Sequence, residues 1–143
     1  MTDCPLCTPS PQTDILFQDD FCRVVLLNDT DYPAYCRIEL LAHVKEMTDM
    51  PPESRARMMK TVFAVETAMR EVIKPDKINL ASLGNKTPHL HWHVIPRFEN
   101  DKHFPNSHWG DVTNALQTNK TELSLSSKLL LQDKIKAHIA CSL

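Results

Sequence analysis

The chain has 143 residues, 42% of them hydrophobic and 24% charged, with a formal net charge of −2. That is enough for one domain with a real core, and it excludes the basic excess of a protein that grips a nucleic-acid duplex. No apolar run nears the roughly 20 residues that span a bilayer and no basic, apolar leader opens the sequence, so neither a membrane nor an export route is expected.

Five cysteines, an odd number, fit free or metal-bound thiols in a reducing cytoplasm. The first two stand in Cys4-Pro5-Leu6-Cys7, inside a segment, 1–13, that has three prolines and little apolar surface. Residues 14–27 read as two short strands about the turn Gln18-Asp19-Asp20, the second being Cys22–Leu27. Asn28–Pro33 is turn chemistry. Cys36–Leu41 reads as a third strand leading to His43. A helix follows, with Thr48 or Asp49 as its cap, prolines 51 and 52 in its first turn, and Met58, Val62, Val65, Met69 and Val72 at helical spacing. Pro75 ends it. Lys77–Leu83 reads as a strand, and Gly84–Pro88 as a tight turn into the next. A last helix is expected from about Ser126 to Ala140. The sum is a single α+β domain over 1–143: a mainly antiparallel sheet of about five strands, one long helix, and a C-terminal extension (110–143) with a helix of its own.

The chemistry concentrates in residues 88–98, PHLHWHVIPRF. Alternate residues of a strand share a face, so His89, His91 and His93 would stand in a row, with Leu90, Trp92 and Val94 packed behind. His103, His108 and His138 read as ordinary surface or core histidines. One metal held by the whole row does not fit a straight strand, since His89 and His93 would lie about 13 Å apart; neighbours in the row could still share one. The other option is nucleophilic and acid–base work. A neutral imidazole attacks at neutral pH without a separate base. His91, with a partner on each side, is the best nucleophile candidate, and His89 and His93 can hold phosphate oxygens or assist a leaving group.

His-x-His-x-His with apolar spacers, followed by Val94-Ile95-Pro96-Arg97, resembles the histidine triad (HIT) superfamily of nucleotide hydrolases and transferases. An N-terminal Cys-x-x-Cys, a strand leading to a His before the long helix and an Asn-containing hairpin extend the likeness over most of the chain. A bacterial branch related to dinucleoside polyphosphate hydrolases is the nearest in look. The resemblance implies a HIT-like fold, a homodimer, and attack by His91 on an α-phosphorus to give a nucleotidyl-histidine that water hydrolyses. It assigns His93 and His89 to phosphate oxygens and the leaving group. It also implies substrate contacts from Asn85 in the turn before the triad, and from Asn28 or Asp29 after the second strand. Lys86 is placed for a distal phosphate, or simply as a solvated loop lysine. Where the family has a further His early in the third strand, this chain has Tyr35-Cys36-Arg37; Arg37 reads equally as a phosphate contact or a salt-bridge partner.

Two thiolates spaced as Cys4 and Cys7 can share a metal, and a tetrahedral zinc needs two more ligands. In family members with this pair, these are the residues at His43 and His89. The expectation is therefore a structural zinc on Cys4, Cys7, His43 and His89, with no organic cofactor. Met59, Phe63 and Ile73 add apolar character to further faces of the long helix, which independently points to a homodimer. The expected function is hydrolysis of a dinucleoside polyphosphate or an adenylylated compound. Two rivals stand beside it: a non-catalytic nucleotide- or zinc-binding regulator of the same fold, and a small metallohydrolase with its metal at the triad.

Overall fold

The computed structural model describes residues 3–115 and 122–142. Residues 1–2, 116–121 and 143, which fall in the terminal segment and the extension expected from the sequence, lie outside the described residues. Five strands, β1 (Asp14–Gln18), β2 (Cys22–Leu26), β3 (Cys36–Leu40), β4 (Lys77–Ala81) and β5 (His91–Arg97), form one antiparallel sheet in the order β1-β2-β3-β5-β4. Helix α1 (Pro52–Val72) links β3 to β4, and α2 (Leu125–Ser142) follows the loops after β5. This is the α+β architecture that the hydrophobic periods predict.

The two faces of the sheet differ in chemistry. Cys22, Val24 and Leu26 of β2, Cys36, Ile38 and Leu40 of β3, and Val94 of β5 point to the helices. There they meet Met58, Val62, Val65 and Met69 of α1 and Leu131, Ile135 and Ile139 of α2. Each fully buried side chain of this kind is worth about 1.5–3 kcal/mol, so this face supplies the stability. The opposite face carries charge. Register aligns Arg23, Glu39 and His91 in one row across three strands, and Val25, Arg37 and His93 in the next. Arg23, Glu39, Arg37 and His91 of these rows lie beside the N-terminal segment.

Turn chemistry explains two local features. The Asp19 carboxylate accepts the backbone N–H groups of Phe21 and Cys22, at 2.8 and 2.9 Å, and so closes the β1–β2 turn. Gly84 has φ of 85°, and a Cβ there would sit 3.3 Å from the Thr87 carbonyl oxygen, so the turn into β5 needs a glycine.

Three expectations change in detail. Neither Thr48 nor Asp49 caps α1. A residue before proline avoids helical ψ, so Pro51, ahead of Pro52, stays extended and becomes the cap position. Asp49 instead accepts the Glu46 N–H at 3.1 Å and closes a short 3-10 turn at Met47–Asp49. The histidine strand also starts late, at His91. Pro88 has no N–H to give to a ladder, and Leu90 N–H goes to the Val44 carbonyl at 2.7 Å, so His89 lies ahead of the strand. Finally, the apolar surplus of α1 is partly covered within the chain. Met59 and Ile73 pack against the core and α2 lies along α1, while Phe63 remains 51% exposed.

Candidate functional site

His91 stands between two constellations, and its geometry depends on both. On one side the N-terminal segment folds back onto the start of β5. Cys4 Sγ lies 3.3 Å from His89 Nδ1, Cys7 Sγ 3.3 Å from His43 Nδ1 and 3.6 Å from His89 Nδ1, and the two Nδ1 atoms are 3.1 Å apart. All four donor atoms fall within 4.8 Å of one another. A tetrahedral zinc, with nitrogen at about 2.0–2.1 Å and sulfur at about 2.3 Å, sets its ligands about 3.3–3.8 Å apart. The donor set and its edges fit that ion, so these four residues form a candidate metal site.

The His89 tautomer fits as well. Its Nε2–H donates to the Leu40 carbonyl at 2.6 Å, which leaves the Nδ1 lone pair aimed at the centre of the cluster. Burial lowers the His89 pKa and keeps the ring neutral, as a metal ligand must be. Burial also raises both thiols, but backbone N–H groups of Cys7 and Leu6 outweigh it at Cys4 and bring that thiol below its ordinary value; Cys7, beside Cys4, stays above. His89 has left the strand and turns its Nδ1 to the cluster, yet it still lines one cavity together with His91. The four-ligand metal set is thus brought together, and His91 stands between His89, with which it shares a cavity, and His93, whose ring centroid is 5.0 Å from its own.

His89 acts on its neighbour through the backbone. Its carbonyl accepts the His91 Nδ1–H at 2.6 Å. That bond fixes the tautomer in which Nε2 of His91 keeps its lone pair. The ring is buried to 8% exposure and lines two cavities, each of about 310 Å³. One is walled by Lys45–Thr48, Ser82–Gly84 and Trp92, the other by the N-terminal segment, Arg37, Glu39 and Thr87.

His93, one step along β5, is held by a different means. The Tyr35 hydroxyl lies 2.7 Å from its Nδ1. Burial pushes the Tyr35 phenol up, so it stays protonated. It has no other acceptor among the described residues, and therefore donates to Nδ1 and places the His93 proton on Nε2. Burial, with the neighbouring His91, Arg37 and His108, drives the His93 pKa down to about 4, so the ring is a neutral donor at physiological pH. Trp109 packs edge-on against His93, with ring centroids 5.1 Å apart, and His108 packs edge-on against Tyr35 at 5.2 Å.

The loop that carries Trp109 and His108 is pinned from below. Arg97 Nε donates to Asp101 at 2.8 Å, and Arg97 also reaches Asn79 and the Asn106 carbonyl. Burial opposes ionisation of Asp101, yet Arg97 and the N–H groups of Phe98, His103 and Phe104 hold its carboxyl at about 2.

The expected substrate contacts fare unevenly. Asn85 and Lys86 are exposed at the tip of the turn before β5, and neither makes a side-chain hydrogen bond among the described residues. Asp29 is engaged: its carboxylate accepts the Asp31 N–H at 2.9 Å and meets His108 Nε2 at 3.1 Å. Asn28 lines a separate cavity between β2 and α2, together with Asp29. Sequence reasoning missed Tyr35 as the partner of His93, and it missed Trp109 and His108 as its neighbours. It read Arg37 as a phosphate contact or a salt-bridge partner, and it missed that Arg23 and Arg37 share Glu39. The signal for these pairs was present, since charged residues at alternating positions of a strand that is otherwise buried have to find partners.

A family model described as "HIT domain" matches residues 9–100, and the chain belongs to that family. Among solved structures it is similar to a histidine triad protein from Marinobacter aquaeolei VT8, with 25% identity, 92% of this chain and 91% of that chain covered, and a TM-score of 0.69. It is also similar to a histidine triad protein from Bradyrhizobium japonicum, at 23% identity, with 89% and 90% covered and a TM-score of 0.69. A Zn-bound histidine triad family protein from Mycobacterium smegmatis matches at 18% identity, with 96% and 94% covered and a TM-score of 0.63. A comparison with curated proteins returned no match. Among the described residues no helix is long and apolar enough to cross a membrane.

Proposed function

We propose that this HIT-domain protein is a nucleotidyl hydrolase that works through His91, on a dinucleoside polyphosphate or another adenylylated compound. The observation that carries the reading is the 2.6 Å bond from His91 Nδ1 to the His89 carbonyl, which leaves Nε2 as a lone-pair nucleophile at a cavity wall. In the first step the Nε2–P bond forms and the bond from phosphorus to the leaving group breaks, its electron pair departing with that group. The His91 ring, still protonated at Nδ1, is then a cation stabilised by the His89 carbonyl. His93 Nε2–H donates a hydrogen bond to the phosphoryl or bridging oxygen, where charge develops. In the second step water attacks phosphorus and releases a proton to solvent, the P–N bond breaks, and the pair returns to Nε2. Cys4, Cys7, His43 and His89 would hold a zinc in a structural role; the similar protein from Mycobacterium smegmatis is named as Zn-bound. Bound there, the ion fixes His89 and so the carbonyl that orients His91; with four protein ligands it leaves no position for an attacking water. The reading further includes a cytoplasmic homodimer, supported by the five free cysteines and by exposed Phe63 on α1.

The test is His91→Ala against the wild type on a panel of dinucleoside polyphosphates and adenylyl phosphoramidates. Turnover should fall by several orders of magnitude, roughly 10³-fold or more, while nucleotide binding persists. Rapid quenching followed by mass analysis should place a nucleotidyl group on His91 of the wild type. Near-full activity in the variant would sink the covalent mechanism. Binding without turnover in the wild type would make the protein a nucleotide-binding regulator instead.

A further inference from the structure

We infer that the cavity between His91 and the N-terminal segment is an anion subsite built on Arg37, and that it receives a second phosphate beside the phosphorus that His91 attacks. This rests on the hydrolase reading above and names its substrate class: an anhydride whose departing group is itself a phosphate, rather than a phosphoramidate that releases an amine.

The cavity is lined by Arg37, Glu39, Thr87 and His91, with Ser10 and Thr13 among the residues opposite. Beneath it lies a charge row of unusual depth. Glu39 is 1% exposed and shared between two arginines: Arg23 Nε donates to Oε1 at 2.6 Å, and Arg37 Nε donates to Oε2 at 2.7 Å. Two guanidinium groups against one carboxylate leave a single positive charge. Arg23 is not its bearer toward the cavity, because that side chain is buried and also donates through Nη2 to the Leu6 carbonyl. Arg37 is the one that opens outward, at 26% side-chain exposure.

The donor inventory makes the same point. A guanidinium has five N–H groups. Nε is committed to Glu39, and Nη2 lies 2.7 Å from the same carboxylate oxygen. The Nη1 pair and the outer Nη2 N–H have no partner among the described residues. Glu39 thus fixes the plane of the guanidinium and aims a fork of donors at the cavity, the geometry that suits phosphate oxygens. Register completes it: Arg37 pairs across the sheet with His93, and Glu39 with His91. A phosphate held by Arg37 would lie in the cavity that His91 itself lines, with His93 one step further along β5. As a departing group it would leave with its negative charge already matched. A buried ion pair contributes little to stability against an apolar replacement; its use here is to position one arginine.

The experiment compares wild type, Arg37→Met and Arg37→Lys, with two substrates and one probe. The substrates are a dinucleoside polyphosphate and adenosine 5′-phosphoramidate; the probe is inorganic pyrophosphate, titrated by calorimetry. Glu39 keeps Arg23 in both variants, and a melting curve checks that they fold. Charge-assisted hydrogen bonds predict a loss of roughly 10- to 100-fold in kcat/KM on the polyphosphate for Arg37→Met. The loss on the phosphoramidate should stay within about threefold, and Arg37→Lys should lie between. Pyrophosphate affinity should fall by roughly tenfold or more in Arg37→Met. Equal losses on both substrates would overturn the assignment, as would unchanged pyrophosphate binding. So would a loss on the phosphoramidate larger than the loss on the polyphosphate. If the wild type cleaves neither substrate, the hydrolase reading fails, and the pyrophosphate titration still decides the subsite.

Discussion

The two flanks of His91 hold their histidines by opposite means. On the His89 side, four donor atoms from three separate stretches converge within 4.8 Å, and one ion of ordinary size would satisfy all of them. On the His93 side no such centre exists among the described residues. His93 is set by a phenol that His108 backs edge-on, by the edge-on ring of Trp109 and by a loop that Arg97 and Asp101 tie down. The first flank stands on a few strong, directional bonds, and the second on many weak contacts. The first should therefore fail abruptly when one member is removed, and the second by degrees.

The sharpest way to break that contrast is to remove the metal. Protein purified without added metal should carry about one zinc per chain. Chelator or His43→Ala should lower the melting temperature by roughly 10 °C, since binding at a closed site is folding free energy. Elemental analysis and a thermal scan measure both. No zinc and an unchanged melting curve would leave Cys4 and Cys7 as ordinary thiols.

A milder effect should come from acid. His93 stays neutral in the folded chain down to about pH 4, whereas its ordinary value is 6.5. Between those values the unfolded chain binds the proton and the folded chain does not, so stability falls as pH drops through this window and levels off below it. The slope is about 1.4 kcal/mol per pH unit at its steepest. His93→Gln should flatten the curve of stability against pH in that window, by chemical denaturation at a series of pH values. An unchanged slope would mean that another group carries the titration.

The smallest effect should follow Tyr35→Phe. It removes one hydrogen bond and leaves the ring packing, so kcat should fall roughly tenfold with KM and melting temperature nearly unchanged. Loss of the fold instead would show that the aromatic flank is as brittle as the other, and the contrast would go.

How much of this the sequence revealed follows the same division. The sheet, α1 and α2 were legible because apolar residues recur at strand and helix periods, as Met58, Val62, Val65 and Met69 do. The Cys4–Cys7 pair was legible because metal ligands obey fixed spacing, and the HIT resemblance supplied His43 and His89. Tyr35 was visible only as a residue where the family has a His. Its bond to His93 spans 58 positions and depends on the β3–β5 register, for which no local pattern exists. The departure of His89 from the strand was readable in principle from Pro88. The ion pairs of Glu39 with Arg23 and Arg37 needed the order of the strands, since Arg23 reaches Glu39 only when β2 and β3 lie side by side.

One consequence belongs to the N-terminal segment. Cys4 and Cys7 contribute to the metal site, while Pro5, Leu6 and Pro9, next to them in the chain, line the cavity that His91 shares. Metal and substrate are thereby joined in one thermodynamic cycle. Whatever factor a seated metal adds to the affinity of a ligand resting on that wall, the ligand must return to the metal in full. Were a zinc seated there to tighten the hold on a ligand, a chain saturated with that ligand would hold its zinc harder by the same factor.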